Sequence, residues 1–454
     1  MPLPPGPKIP SLIQTLGWCV RPYGLLKRCH RKYGDVFSIR LIGNRTYVLI
    51  SDPEAIRSVF GGFGNPDSVS IGNDELRPLL GDNSLLILNG PRHQQDRKLI
   101  APLFRPGKVA CYGSVVADIA YAAGREWKCG DIIPVLPFVR SLGIAVIIAI
   151  VFGLRAGPRF QQFLEAIERI VDIVNGPMLY FALLQRDLGN WSPGGKIWKA
   201  RDVLFDLIDA EIAARGRSRV PETPNLLDLL LSTKDEHGEY RSDAAIRDQT
   251  LTMLLAGHDP TAAATAWALY WIHKKPAVAE AIRAELASGP SDPSGPAALP
   301  YLDAVCQETL RLYPVVAAVE RITHEPVSVG GYDLPSGVHL APCIFLAHHR
   351  PDIFPEPESF IPERFLNRRY PPSVFFPFGG GPRRCIGADF APFQIKLVLA
   401  SLMRRFQFNL VDRGAIHPVL KGATIAPSAK LALQVTAVEA VQGRCPHATA
   451  RSAS

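Results

Sequence analysis

The sequence predicts a mainly α-helical chain with small β-sheets, an α+β architecture. Three observations carry this. From about Leu99 to Ala213 apolar residues recur at helical spacing between Gly and Pro breaks. A helix of roughly 30 residues, beyond the usual range, is expected from about Asp243 to His273, ending at Lys274-Lys275-Pro276, two cations and a breaker. After Tyr313-Pro314, short β-rich pieces such as Thr323 to Val329 and Leu431 to Val438 mix with many prolines.

The elements follow in order. Val36 to Ile50 reads as a β-hairpin, because two β-rich runs flank Gly43-Asn44, a favourable two-residue turn. Asp52-Pro53 starts a helix, with proline near its first position. Gly90-Pro91 opens another, which carries His93 and Arg97. The apolar run Leu142 to Leu154, bracketed by Arg140 and Arg155, falls short of the about 20 residues that span hydrocarbon and reads as a buried core helix. Pro221 to Pro224 and Gly289 to Pro296 read as loops.

Composition narrows the class. Of 454 residues, 47% are hydrophobic and 20% charged, with 50 Lys+Arg against 42 Asp+Glu and a net charge of +8. That excludes disordered, collagen-like and coiled-coil chains. Length alone admits two or three domains. With no internal repeat or convincing linker, residues 1–441 are expected to form a single domain and 442–454 a flexible tail. No block of like charges suggests a nucleic-acid tail, although a basic patch could meet an acidic protein partner. The start Met1-Pro2-Leu3-Pro4-Pro5-Gly6-Pro7 lacks the features of a signal peptide. A soluble, cytoplasmic monomer without stable membrane insertion is expected. The eight cysteines form no C-x-x-C pair and no zinc-finger spacing with histidine, as for reduced thiols in a reducing compartment.

One cysteine stands apart. In Phe378-Gly379-Gly380-Gly381-Pro382-Arg383-Arg384-Cys385-Ile386-Gly387, three glycines, a proline and two arginines precede Cys385. The glycines allow positive φ and close approach to a flat partner. Arg383 and Arg384 favour a thiolate, as would the N–H groups of a helix starting just afterwards. The loop suits a thiolate held against a cofactor; the competing reading is a glycine-rich phosphate loop or a surface turn.

These residues resemble Phe-x-x-Gly-x-Arg-x-Cys-x-Gly, the haem-binding signature of the cytochrome P-450 monooxygenases. Phe378, Gly381, Arg383, Cys385 and Gly387 each match. The resemblance implies that Cys385 is the iron ligand of a haem b, and that its thiolate favours O–O cleavage. It implies further that Glu308 and Arg311 form the family's Glu-x-x-Arg pair, joined by Arg364 of Pro362-Glu363-Arg364-Phe365 in a structural ion-pair network. His93, Arg97, Arg321 and Arg383 are the implied haem-propionate partners, a role suited to charge-assisted hydrogen bonds.

In the long helix, Ala256-Gly257-His258-Asp259-Pro260-Thr261 is similar to the family's Ala/Gly-Gly-x-Asp/Glu-Thr-Thr/Ser. Pro260 cannot donate to the Ala256 carbonyl, so a kink is expected. By resemblance, Asp259 feeds protons toward dioxygen and Thr261 matches the second hydroxyl position. The departure is Pro260, which stands where the family has its proton-delivering threonine. His258 reads as a packing residue.

The match runs nearly the whole chain. It implies a haem-thiolate monooxygenase that takes two electrons, ultimately from NAD(P)H, through a ferredoxin or flavodoxin-type partner, and uses O2 to hydroxylate or epoxidise a lipophilic small molecule. A peroxide-driven or rearranging enzyme is the alternative that Pro260 suggests. A haem protein that only senses or stores a ligand is a further one. Substrate walls would come from the segment before His93, the region of Gly176 to Asn190, Val315 to Val319, and Ile425-Ala426-Pro427, which are largely apolar. Lys98, Arg105, Lys108 and the basic residues of the cysteine loop are a candidate docking face.

Overall fold

Strand Val36–Leu41 pairs antiparallel with Arg45–Ile50, and Leu41 faces Arg45 in the register. Three residues therefore close the hairpin, in place of the expected two. Gly43 has φ +87°, a left-handed conformation that glycine adopts freely; Asn44 lies outside the described residues. The computed structural model describes residues 2–43, 45–65, 69–174, 186–189, 191–217, 224–234, 238–290 and 292–439. The expected loop at 221–224 and the tail at 442–454 thus fall wholly or mostly outside it.

The hairpin joins a five-stranded sheet in the order Val36–Leu41, Arg45–Ile50, His339–Pro342, Arg321–Thr323, Val69–Ser70. One pairing is parallel, between Arg45–Ile50 and His339–Pro342. Beside the sheet, helix Pro53–Phe60 is capped by Asp52, whose carboxylate accepts from the Ala55 N–H at 2.8 Å, a contribution of about 1 kcal/mol.

The rest is mainly helical. The apolar run belongs to a longer helix, Val135–Phe152, which starts seven residues before Leu142. By length and composition alone it could cross a membrane, with a mean hydropathy of 2.5, but 78% of it is buried among other helices. It forms the centre of the largest hydrophobic cluster.

The expected long helix is present as two, Asp243–Ala256 and Asp259–Lys274, separated at Gly257-His258. Pro260 withholds an N–H from Ala256 and ends the first helix there. Both helices pack on Val135–Phe152. A Cβ on Gly257 would come within 2.6 Å of the Met253 carbonyl oxygen and 2.7 Å of Ile147 Cδ1. Glycine at 257 is therefore what allows the close approach. Further along, Trp267 is fully buried and stacks on Tyr313 with centroids 3.8 Å apart.

Three more elements position the site. Helix Pro300–Leu312 carries Glu308 and Arg311, and helix Phe390–Arg405 follows the cysteine loop. A two-stranded hairpin, Pro418–Lys421 with Thr424–Pro427, lays its second strand on helix Asp259–Lys274.

Candidate active site

The cysteine loop is shaped by its glycines. Gly379 and Gly381 have φ of +67° and +66°, values that L side chains rarely adopt. A Cβ on Gly380 would sit 2.3 Å from Phe60 Cδ2, and one on Gly381 would sit 2.4 Å from the Phe60 carbonyl oxygen. The run is glycine because helix Pro53–Phe60 ends against it. The Cys385 N–H donates to the Phe378 carbonyl at 2.9 Å and closes the turn.

Cys385 keeps accessible surface, yet protein surrounds it closely enough for burial to push its thiol up. The Gly387 N–H, Arg97 and Arg384 oppose the burial effect without overcoming it. This corrects two expectations. Arg383 does not act on the sulfur; its guanidinium donates to the Leu88 carbonyl at 2.6 Å and to Asn89 Oδ1 at 2.5 Å. The helix starts only at Phe390, so the nearby amide that favours the thiolate is the single N–H of Gly387.

Beside the loop, His93, Arg321 and Arg383 line one crevice with Val59, Phe60 and Gly90. His93 and Arg97 project from helix Gly90–Ile100, as expected. Arg97 Nη2 donates to the Arg384 carbonyl at 2.5 Å, and Arg321 Nη2 to the Gly380 carbonyl at 2.9 Å. Burial lowers Arg321 to about 10. Burial, then Arg321 and Arg97, lower Arg383 to about 10. For His93, burial and the three guanidiniums lower the imidazole to about 3.

Among the described residues none of the three guanidiniums forms an ion pair with a carboxylate. Mutually repelling cations in a partly desolvated crevice favour an anion. A sulfur donor on one side and this carboxylate-seeking set on the other fit an iron macrocycle that carries carboxylate arms.

At the helix break, Asp259 is held at both oxygens. Arg140, from helix Val135–Phe152, donates to Oδ1 from Nε at 2.9 Å and lies 2.8 Å away through Nη2. Thr424 Oγ1 donates to Oδ2 at 2.6 Å. Thr261 is buried on the same helix, and its carbonyl accepts from Thr265 Oγ1 at 2.8 Å. His258 is buried with its Nδ1 2.7 Å from the Leu254 carbonyl, in keeping with a packing role. Neither Arg140 nor Thr424 is distinguished in the sequence as a partner of Asp259. The pairs are 119 and 165 residues apart, and no local pattern announces such contacts.

The supporting network is fully buried. Arg311 donates to both Glu308 oxygens, at 2.6 and 2.8 Å, with both side chains at 0% exposure. It also donates to the carbonyls of His348, Pro357 and Ser359. Arg364 Nε stands 3.4 Å from Glu308 Oε1, a looser third member.

Of the expected walls, Val315, Ala317, Ile425 and Ala426 are buried, and Val316 and Ala318 are half-buried. Residues 175–185 and 190 lie outside the described residues. Lys98 and Arg105 are exposed, while Lys108 is half-buried with its ammonium 5.9 Å from the Tyr112 ring centroid.

A family model described as "Cytochrome P450" matches residues 4–434. Putative cytochrome P450 135B1 of Mycobacterium tuberculosis is 34% identical, over 100% of this chain and 95% of that protein. Putative cytochrome P450 135A1 of the same species is 30% identical, over 94% of this chain and 93% of that protein. Among solved structures, retinoic acid-bound cyanobacterial CYP120A1 superposes with a TM-score of 0.84 at 26% identity, covering 96% of this chain and 99% of that one.

Proposed function

Because this chain belongs to the cytochrome P450 family and is a haem-thiolate monooxygenase, we propose that Cys385 ligates the iron of a haem b whose propionates are held by Arg97, Arg321 and Arg383, with His93 as a hydrogen-bonding partner. The observation that carries this is the set of three guanidiniums without an ion-pair partner gathered beside one loop sulfur.

The family uses haem iron, O2 and electrons from NAD(P)H delivered by redox partners. When bound, the haem supplies the site where dioxygen is reduced and its O–O bond cleaved, aided by thiolate electron push. The chain's own residues do the rest. Phe378 accepts the Cys385 N–H and fixes the loop that presents the sulfur. The Gly387 amide tempers the thiolate's charge, which tunes its donation to iron. Asp259 is the acid that passes protons inward, oriented by Arg140 and Thr424. Thr261 is the hydroxyl nearest to it on the same helix. Val315, Ala317, Ile425 and Ala426 form apolar walls that exclude water and favour a lipophilic substrate. The solved relative CYP120A1 binds retinoic acid, a largely apolar molecule, which supports that class. The reaction is hydroxylation or epoxidation, with a ferredoxin or flavodoxin-type donor that docks on the face of Lys98 and Arg105. We place the enzyme in the cytoplasm as a monomer, with residues 1–441 as one domain.

The reduced, carbonylated protein should show a Soret band at the red position of thiolate-ligated iron. A spectral binding screen with apolar compounds should then yield ligands that NADPH and a surrogate ferredoxin system convert to oxygenated products. A band at the unshifted position ends the ligand assignment. Greater product formation from hydrogen peroxide than from the reductase system favours the peroxide-driven alternative.

A further inference from the structure

Pro260 removes a hydroxyl from the helix, yet the acid beside it is not left without one. The hairpin Pro418–Lys421/Thr424–Pro427 brings in Thr424, which is 5% exposed, with Oγ1 2.6 Å from Asp259 Oδ2. The same Oγ1 lies 3.1 Å from the Lys421 carbonyl oxygen. Resting on the reading of Asp259 given above, we propose that Thr424 is the positioning hydroxyl of proton delivery in this enzyme, supplied by a substrate-wall hairpin in place of the helix residue that Pro260 displaces.

The geometry serves both states of the acid. A hydroxyl has one proton to donate and lone pairs with which to accept. With Asp259 ionised, Thr424 O–H donates to Oδ2. With Asp259 protonated at Oδ2, that proton points to Thr424 Oγ1, and the threonine proton turns to the Lys421 carbonyl. Both arrangements use the same heavy-atom positions. Asp259 can therefore change its protonation state without moving its side chain. Arg140 holds Oδ1 throughout.

The charged and titratable groups around the pair are Arg140 on helix Val135–Phe152, His258 at the break and Lys421 on the hairpin, with Asp172 of helix Pro158–Val174 acting on Lys421 in turn. Thr424 is the member of the cluster that does not titrate, and its hydroxyl can reorient without a change of charge.

The test uses the reconstituted holoenzyme with a ligand from the spectral screen, a surrogate ferredoxin system and three variants, Thr424→Val, Thr424→Ser and Asp259→Asn. Thr424→Val should lower product per NADPH about tenfold, raise hydrogen peroxide release and enlarge the solvent deuterium isotope effect, a loss below the roughly 10²–10⁴-fold of a general acid itself, as suits a positioning group. Thr424→Ser should restore all three. In the resting holoenzyme, infrared spectra with 13C-labelled aspartate should show the carboxylate band absent from Asp259→Asn shifted in Thr424→Val and restored in Thr424→Ser. Wild-type product yield in Thr424→Val, with a defect confined to Asp259→Asn, overturns the role of Thr424 and leaves Asp259 standing. Wild-type yield in Asp259→Asn overturns the acid assignment itself. If Thr424→Val loses the thiolate spectrum, Thr424→Ala decides by the same readouts: a loss of yield that Thr424→Ser does not share supports the role, and wild-type yield overturns it.

Discussion

Arg97 Nη2 donates to the carbonyl of Arg384, the residue before Cys385, at 2.5 Å. One guanidinium thereby ties helix Gly90–Ile100 to the cysteine loop while it serves the proposed propionate site. Arg97→Ala removes both interactions. Loss of a hydrogen bond to a charged group costs about 1.5–3 kcal/mol, so haem should leave this variant roughly 10- to 100-fold faster. Transfer of haem to apomyoglobin measures this directly.

Glycine is required at 380 and 381 for separate reasons. At 380 a methyl group meets the Phe60 ring, and at 381 it meets the Phe60 carbonyl in a backbone with φ +66°. Gly381→Ala should cost more than Gly380→Ala, because a ring can shift more readily than backbone. Haem content after purification and thermal melting will rank the two. A companion Phe60→Leu should partly restore Gly380→Ala and leave Gly381→Ala unchanged.

Glu308→Ala leaves Arg311 charged, buried and without its carboxylate. Such broken pairs cost about 3–5 kcal/mol. Arg364→Lys, at the looser 3.4 Å contact, should cost much less. Denaturant unfolding will show whether the order holds, and comparable losses would mean that Arg364 bears more of the network than its distance indicates.

His348 is fully buried, and its Nε2 accepts from the Phe376 N–H at 2.9 Å. Burial, then Arg311, lowers its pKa from 6.5 to about 3. The folded state keeps the ring neutral while the unfolded chain takes up a proton below about 6.5. The stabilisation is thus complete above pH 6.5 and is lost as pH falls toward 3, by up to about 1.4 kcal/mol per pH unit. His348→Gln keeps an acceptor and removes the titration. Its melting temperature should fall less steeply between pH 6.5 and 5 than that of the wild type.

Pro260→Thr returns a hydroxyl to the helix. With Thr424 in place, product per NADPH should change by less than about twofold, since that hydroxyl is already supplied. In a Thr424→Val background the same substitution should recover most of the lost yield. Parallel measurement of NADPH consumption and product in the four proteins tests the exchange.

The sequence was most legible where chemistry is local. Asp52-Pro53 holds its cap within three residues, and Glu308 meets Arg311 within one helical turn. The glycine run before Cys385 encodes its own turn. Pro260 foretold a disruption, and the break falls at Gly257-His258 because the missing N–H is owed to the carbonyl four residues earlier. Legibility failed where side chains reach across the fold. Arg383 neighbours Cys385 in sequence but turns to Leu88 and Asn89. Burial, which no neighbour count reveals, dominates the thiol. The partners of Asp259 come from a core helix and a distant hairpin.

Arg311 also binds three backbone carbonyls, at His348, Pro357 and Ser359, while its partner Glu308 accepts the N–H of Ile361 at 2.8 Å. A long irregular stretch is thus pinned to one helix by two side chains with no exposure to solvent. Irregular segments ordinarily exchange amide protons quickly, but here the amide of Ile361 can be released only by opening the ion pair itself. In deuterium the Ile361 amide should keep its proton as long as those of the core helices do, a loop position with the endurance of regular structure.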